Sequence, residues 1–224
     1  MTPTPARVGI LGGTGDQGRG LARRLARAGH EVLIGSRDPD RATATASELA
    51  GEGVVRGVAN AEAADADLVI VAVPYAGHRD LLTSLAGTLA GKIVIDCVNP
   101  IGFDKQGPYP LPVAAGSAAQ EAQEVLPDST VIAAFHHVSA RLLDDPDVTS
   151  IDLDVLVLGE DRTAVQTVCD LAEDIVGVRG VYGGRLRNAG QVEALTANLI
   201  AVNRRYQTHA GLRLTGVDPA AASS

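Results

Sequence analysis

Residues Arg7–Gly18 read RVGILGGTGDQG, an apolar run that breaks at paired glycines and passes into a segment with helical spacing. A short Val/Ile/Leu run without polar alternation suits a parallel strand covered on both faces. Behind it, Gly13-Thr14-Gly15-Asp16-Gln17-Gly18 is a GxGxxG. The pattern is weak alone, but between a strand and a helix it has a mechanical meaning. Gly13 permits a tight turn, Gly15 lets backbone approach a pyrophosphate, and Gly18 lets the helix pack closely on the strand. The helix N-terminus adds free amide donors and a favourable dipole. The expectation is a dinucleotide cradle built from Gly13, Thr14, Gly15, Asp16, Gln17 and Gly18.

Working outward, Leu21, Ala22, Leu25, Ala26 and Ala28 recur at helical spacing until Gly29 stops the helix. His30–Gly35, Val54–Val58, Leu68–Val73, Lys92–Asp96 and Val131–Phe135 read as further strands. Helices are expected over Asp40–Ala50 and His78–Ala90. Strand and helix in alternation with short connections imply a Rossmann-type, doubly wound parallel α/β sheet. Asp144-Asp145-Pro146-Asp147 is a charged breaker. It suggests an NADP-binding domain over 1–145 and a small C-terminal α/β domain over 146–224. In the latter, Leu153–Leu158 and Arg179–Tyr182 read as strands and Thr163–Ile175 as a helix. A long helix is expected over Asn188–Leu212, with a frayed tail over Asp218–Ser224.

Which nucleotide binds is decided after the second strand. An NAD site places Asp or Glu there to accept from the ribose 2′-hydroxyl. This chain has Gly35-Ser36-Arg37, with Arg41 four residues on. A hydroxyl and two guanidiniums suit a 2′-phosphate, which a carboxylate would repel. The reading is NADP, held by Ser36, Arg37 and Arg41. Strand ends at Val73-Pro74 and at Asn99 fall where open α/β sheets bind ligands, so Val73, Pro74 and Asn99 join the candidate set. His136-His137 ends another strand, and since neighbours in a strand face opposite ways, one of the two is expected in the cleft.

The composition excludes several classes. The 224 residues carry a net charge of −8, with no Trp, four Tyr and two Phe, which argues against a nucleic-acid surface. No apolar stretch reaches the length of a membrane span, and neither a leader nor a disulfide framework is expected, so the chain reads as cytoplasmic. Scattered histidines and two distant cysteines suggest no metal site. Lys92 and Lys105 are the only lysines, and no Tyr is followed by Lys at the fourth position. That removes the Tyr/Lys dyad of short-chain dehydrogenases. Direct hydride exchange between two cofactor rings is left, a reaction served by alignment more than by an acid or base.

The run from Arg7 to Arg37, together with VAVPY, KIVIDCVNP, AAFHHVSA and LRNAGQVEALTANLIAVNRRY, resembles NADPH-dependent oxidoreductases of the 8-hydroxy-5-deazaflavin coenzyme F420. The resemblance covers nearly the whole chain. It implies reversible hydride transfer between nicotinamide carbon 4 and deazaflavin carbon 5, and a homodimer joined through the long helix. It places Thr14–Gln17 at the pyrophosphate and Ser36, Arg37 and Arg41 at the 2′-phosphate. Val73, Pro74, Asn99 and Ala140 fall on the nicotinamide side, and His136 and Val138 against the deazaflavin. Arg187 and Asn188 open the last helix near the expected deazaflavin pocket, where Arg187 would hold an anionic part of the coenzyme. No residue is assigned as catalytic; His136 is the one candidate. Two other readings stay open: an NADPH-dependent reductase of a flavin, quinone or metal chelate, and an NADP-sensing Rossmann regulator without turnover.

Overall fold

The computed structural model describes residues 5–217; the expected tail lies outside them. In chain order the elements are β1 (Arg7–Leu11), α1 (Asp16–Arg27), β2 (Glu31–Ser36), α2 (Pro39–Glu48), β3 (Val54–Ala59), α3 (Asn60–Ala63) and β4 (Leu68–Val71). A short 3-10 turn at Tyr75–Gly77 leads to α4 (His78–Leu89), β5 (Ile93–Asp96) and the strand pair β6 (Ile101–Asp104) and β7 (Gly107–Pro110). Then come α5 (Ala118–Val125), β8 (Thr130–Ala133), α6 (Ala140–Asp144), β9 (Leu153–Leu158), α7 (Arg162–Glu173) and β10 (Val178–Gly184). A second 3-10 turn, Leu186–Asn188, opens α8 (Ala189–Tyr206).

Eight strands form one sheet in the order β10-β9-β8-β5-β4-β1-β2-β3. Pairing is parallel except where β8 meets β9 antiparallel, through Ala133 and Leu158. The chain leaves β1 toward β2 on one side and returns to β4 on the other. That reversal opens a crevice at the carboxyl ends of β1 and β4, the place where such sheets take ligands.

Alternation along each strand feeds two separate cores. Val8, Ile10, Val32, Ile34, Leu68 and Ile70 face Leu21 and Leu25 of α1 and Ala42 of α2. Leu11, Leu33, Val69 and Val71 face Leu82, Leu85 and Leu89 of α4 and Ala118 and Ala122 of α5. Both faces are dry, so these strands read as continuous apolar runs. The β9–α7–β10 unit extends the same sheet, with Val165 and Val168 closing the first core.

The charged breaker is tied down. Buried Arg24 of α1 donates to the carbonyls of Leu143 (2.8 Å), Val148 (2.6 Å) and Asp145 (2.9 Å). Asp144 pairs with Arg19 at 2.5 Å and Arg23 at 3.4 Å. Segment 139–148 is thereby fixed against α1.

The last helix is shorter than its sequence pattern. It ends at Tyr206 because Gln207 is left-handed (φ 52°), and Asn203 Oδ1 then accepts from the Ala210 amide at 2.6 Å. The following segment runs back along β9. There buried Asp154 takes Arg179 Nε and Nη2, both at 2.6 Å, Arg213 Nη1 at 2.8 Å and the Leu214 amide at 2.6 Å. Those donors hold the Asp154 pKa down at about 2. The hairpin of β6 and β7, which the sequence reading leaves as loop, packs on α8.

Candidate functional site

The crevice is lined first by the glycine loop. The left-handed turn falls on Gly12 (φ 75°), one residue ahead of the GxGxxG, and not on Gly13 as the motif predicts. A Cβ on Gly12 would lie 2.6 Å from Val73 Cγ1, and one on Gly18 2.7 Å from Gly13 Cα. Internal packing therefore demands both glycines. Gly15 differs: its Cβ would meet only the Gly12 carbonyl, at an ordinary 3.5 Å. Nothing inside the chain asks for a glycine there, so its bareness fits an external group approaching the backbone. Gly15 also caps α1 without a side-chain acceptor, leaving first-turn amides at Asp16, Gln17 and Gly18 free for a phosphate.

At the end of β2, buried Ser36 accepts from the Asp38 amide at 3.1 Å. The nearest carboxylate, Asp38, is turned to its own helix, accepting from Asp40 N (3.1 Å) and Arg41 N (3.2 Å). Arg37 and Arg41 are exposed, and neither guanidinium has a hydrogen-bond or ion-pair partner among the described residues. The contrast is with Arg19, Arg23, Arg27, Arg56 and Arg79, all paired to carboxylates. These residues suit the 2′-phosphate of NADP: a hydroxyl and two free cations, with the Asp38 carboxylate occupied by amides of its own helix.

Across the crevice, Val73 closes on Gly12 and Pro74 leads into the 3-10 turn. At the end of β5, Asp96 is fully buried against His78 Nε2 (2.6 Å) and accepts from the Val98 amide (3.0 Å). Burial pulls the His78 pKa down, but the Asp96 and Glu121 carboxylates on its two ring nitrogens together reverse this and leave it raised. This pinch sets the path to Asn99, whose Nδ2 donates to the His136 carbonyl at 2.8 Å. Thr196 of α8 donates to the same carbonyl at 3.1 Å. The Asn99 amide nitrogen is therefore engaged, while its Oδ1 is buried without a partner.

Both histidines after β8 face the cleft, against the expectation of one. The strand ends at Ala133, and Phe135 adopts a left-handed conformation (φ 63°) that turns the chain. Two-residue alternation no longer applies in a turn. All four ring nitrogens of His136 and His137 are buried without hydrogen bonds, and burial pushes both pKa values down to about 4. Gln17 Nε2 donates to the Phe135 carbonyl at 3.2 Å, joining this turn to the glycine loop.

A cavity of about 720 Å³ opens here, with Gln17, Asn99, His136, Val138 and Ala140 on its wall. Arg187 and Asn188 do not line it; they lie at the start of α8, while the cavity is met by its C-terminal half. Sequence reasoning missed Arg141 and Gln207–Ala210 on this wall, and with them Thr196, Leu199, Ile200, Asn203 and Arg204. The i, i+3, i+4, i+7, i+8 spacing of the last five is one helical face, a signal present in the sequence. Among the described residues no group of His, Cys, Asp and Glu could hold a metal, and no helix is long and apolar enough to cross a membrane.

Comparison with known proteins gives the family. Residues 7–100 match the family described as NADP oxidoreductase, coenzyme F420-dependent. The chain is 39% identical over 223 residues to the F420-dependent NADP reductase of Methanothermobacter marburgensis, covering 94% of this chain and 99% of that protein. It is 37% identical over 224 residues to the enzyme of the same name from Methanocaldococcus jannaschii, covering 95% and 99%. A crystal structure from Arthrobacter sp. FB24, for which F420-dependent NADP reductase activity has been proposed, superposes with a TM-score of 0.81 at 31% identity, covering 94% of this chain and 99% of that one.

Proposed function

The chain belongs to the F420-dependent NADP reductase family, and from that premise we propose how its own residues align the two coenzymes. It is an oxidoreductase whose reaction is hydride transfer between NADP(H) and coenzyme F420. When bound, the nicotinamide supplies or receives the hydride at carbon 4 and the deazaflavin does so at carbon 5. The protein's part is alignment, which removes much of the entropic barrier to such a transfer.

In this reading residues 1–145 hold NADP(H). Gly13–Gly18 cradle the pyrophosphate, and Ser36, Arg37 and Arg41 hold the 2′-phosphate. Val73, Pro74 and Ala140 bound the nicotinamide, and Asn99 Oδ1 accepts from its carboxamide. Residues 146–224 complete the deazaflavin side, with His136 and Val138 against the ring. Burial holds the His136 pKa down at about 4, so the ring meets the deazaflavin as a neutral imidazole that orients it by packing and hydrogen bonding.

The observation that carries the reading is the shared wall. Gln17 belongs to the glycine loop, lines the cavity and is bonded to the turn that bears His136. A nucleotide held at the loop and a ring held in the cavity would then share this wall. Mixing the purified protein with NADPH and oxidised deazaflavin coenzyme should bleach the deazaflavin absorbance. Tight NADPH binding without bleaching would refute the reading.

A homodimer through α8 is supported by the exposed Tyr206 and Val202 of that helix and by Phe103 and Tyr109 on the hairpin beside it. Sedimentation of Tyr206→Glu against the wild type tests it. A cytoplasmic site accords with two free, buried thiols, Cys97 and Cys169.

A further inference from the structure

Among the described residues the cavity wall contains no carboxylate, although the chain has 27 acidic residues and a net charge of −8. Its charged members are Arg141, at the start of α6, and Arg204, in the last turn of α8. Both are exposed at the mouth, and neither guanidinium has a partner among the described residues. The floor is of another kind: buried Val138 with the unpartnered His136 and His137, and half-buried Leu199 and Ile200 on the wall. An apolar slot with hydrogen-bonding nitrogens below and two free cations above suits a flat ring carrying a remote anion.

We propose that Arg141 and Arg204 are the anion clamp of this cavity, holding a phosphate or carboxylate on the deazaflavin's side chain while the ring lies on the floor. The proposal rests on the deazaflavin reading of the cavity. The other anionic groups present are those of NADP(H). Its 2′-phosphate is served by Ser36, Arg37 and Arg41, and its pyrophosphate by the amides of α1, whose contribution to the cavity wall is Gln17. A remote clamp of this kind acts on binding and leaves the reacting atoms alone, so it moves KM more than kcat.

Two acceptors separate the possibilities: the complete coenzyme, and 8-hydroxy-5-deazariboflavin, which has the ring without the charged groups. With saturating NADPH, Arg141→Gln and Arg204→Gln should each raise KM for the complete coenzyme roughly tenfold, as loss of a charge-assisted hydrogen bond does. The double variant should reach roughly 100-fold with kcat within about twofold of wild type. KM for the uncharged acceptor should shift less than about threefold, and added salt should weaken only the complete coenzyme. Equal shifts for both acceptors, or none, would overturn the clamp while leaving the functional reading intact. A weakened NADPH Kd in place of a raised acceptor KM would assign the arginines to the pyrophosphate and also overturn it. A wild-type protein that binds NADPH yet reduces neither acceptor would remove both readings together.

Discussion

In the proposed reading the nucleotide cradle and the acceptor cavity share one crevice, and the two are built in opposite ways. The cradle is local: Gly12–Gly18 and Ser36–Arg41 present amides, a hydroxyl and two guanidiniums from two neighbouring strand ends. The cavity is assembled from Gln17, Asn99, the His136–Arg141 turn and α8, which are distant in sequence. A local site depends on backbone geometry, and an assembled one depends on whatever anchors its parts. Damage to stability should therefore reach the cavity before it reaches the cradle.

The strongest way to break that contrast is at the anchor of the segment after α8. Asp154→Ala removes the carboxylate shared by Arg179, Arg213 and the Leu214 amide; the arginines are part-exposed and Arg213 keeps Asp152, so the loss should be about 1–3 kcal/mol. Urea unfolding should show this loss, and acceptor KM should rise more than NADPH Kd, because Gln207–Ala210 line the cavity. Acid should mimic the substitution. The folded-state pKa of Asp154 is depressed to about 2, so its contribution is present above the ordinary carboxylate range and lost as pH falls toward 2.

Next comes Gly15→Val, which tests the cradle alone. A Cβ there meets only the Gly12 carbonyl at an ordinary 3.5 Å, so the Tm should stay within about 3 °C, while NADPH binding weakens by about 100-fold or more. A large Tm loss with intact binding would make Gly15 a packing glycine like Gly18. Arg37→Ala should weaken NADPH by about 10–100-fold and NADH by less than about threefold. Equal losses for both nucleotides would remove Arg37 from the 2′-phosphate.

The smallest effect is expected at His136. Its replacement by Ala should lower acceptor turnover by about tenfold, below the ~10²–10⁴-fold loss that follows deletion of an acid or base. The depressed pKa of His136 and His137, about 4 each, also sets a pH slope. Buried neutral imidazoles contribute stability above their ordinary pKa that is lost as pH falls toward 4. In His136→Ala that slope should shrink, as read by Tm across pH 7 to 4.

Much of the parallel sheet was legible because strands buried on both faces leave unbroken apolar runs, as in Leu68–Val71 and Leu153–Leu158. The helix Ala118–Val125 and the hairpin of β6 and β7 were not. Ala118–Val125 owes its place to Glu193 of α8, which accepts from the Ala118 and Ala119 amides at 2.9 and 3.2 Å. Burial raises the pKa of that carboxyl to about 7. No spacing rule announces such a contact across 75 residues.

By itself the sequence determined the Rossmann-type fold class and NADP as the nucleotide, since both are read from residues adjacent in the chain. Only the tertiary structure decided that Gly12 carries the turn, that both histidines enter the cavity, and that α8 supplies its wall with Thr196–Arg204 and not with Arg187 and Asn188. Those outcomes depend on where separate segments stop and which carbonyls they share, as Asn99 and Thr196 share that of His136. The net charge of −8 belongs to the first kind of knowledge; the acid-free wall beside Arg141 and Arg204 belongs to the second, because a local field is made by folding charges together or apart.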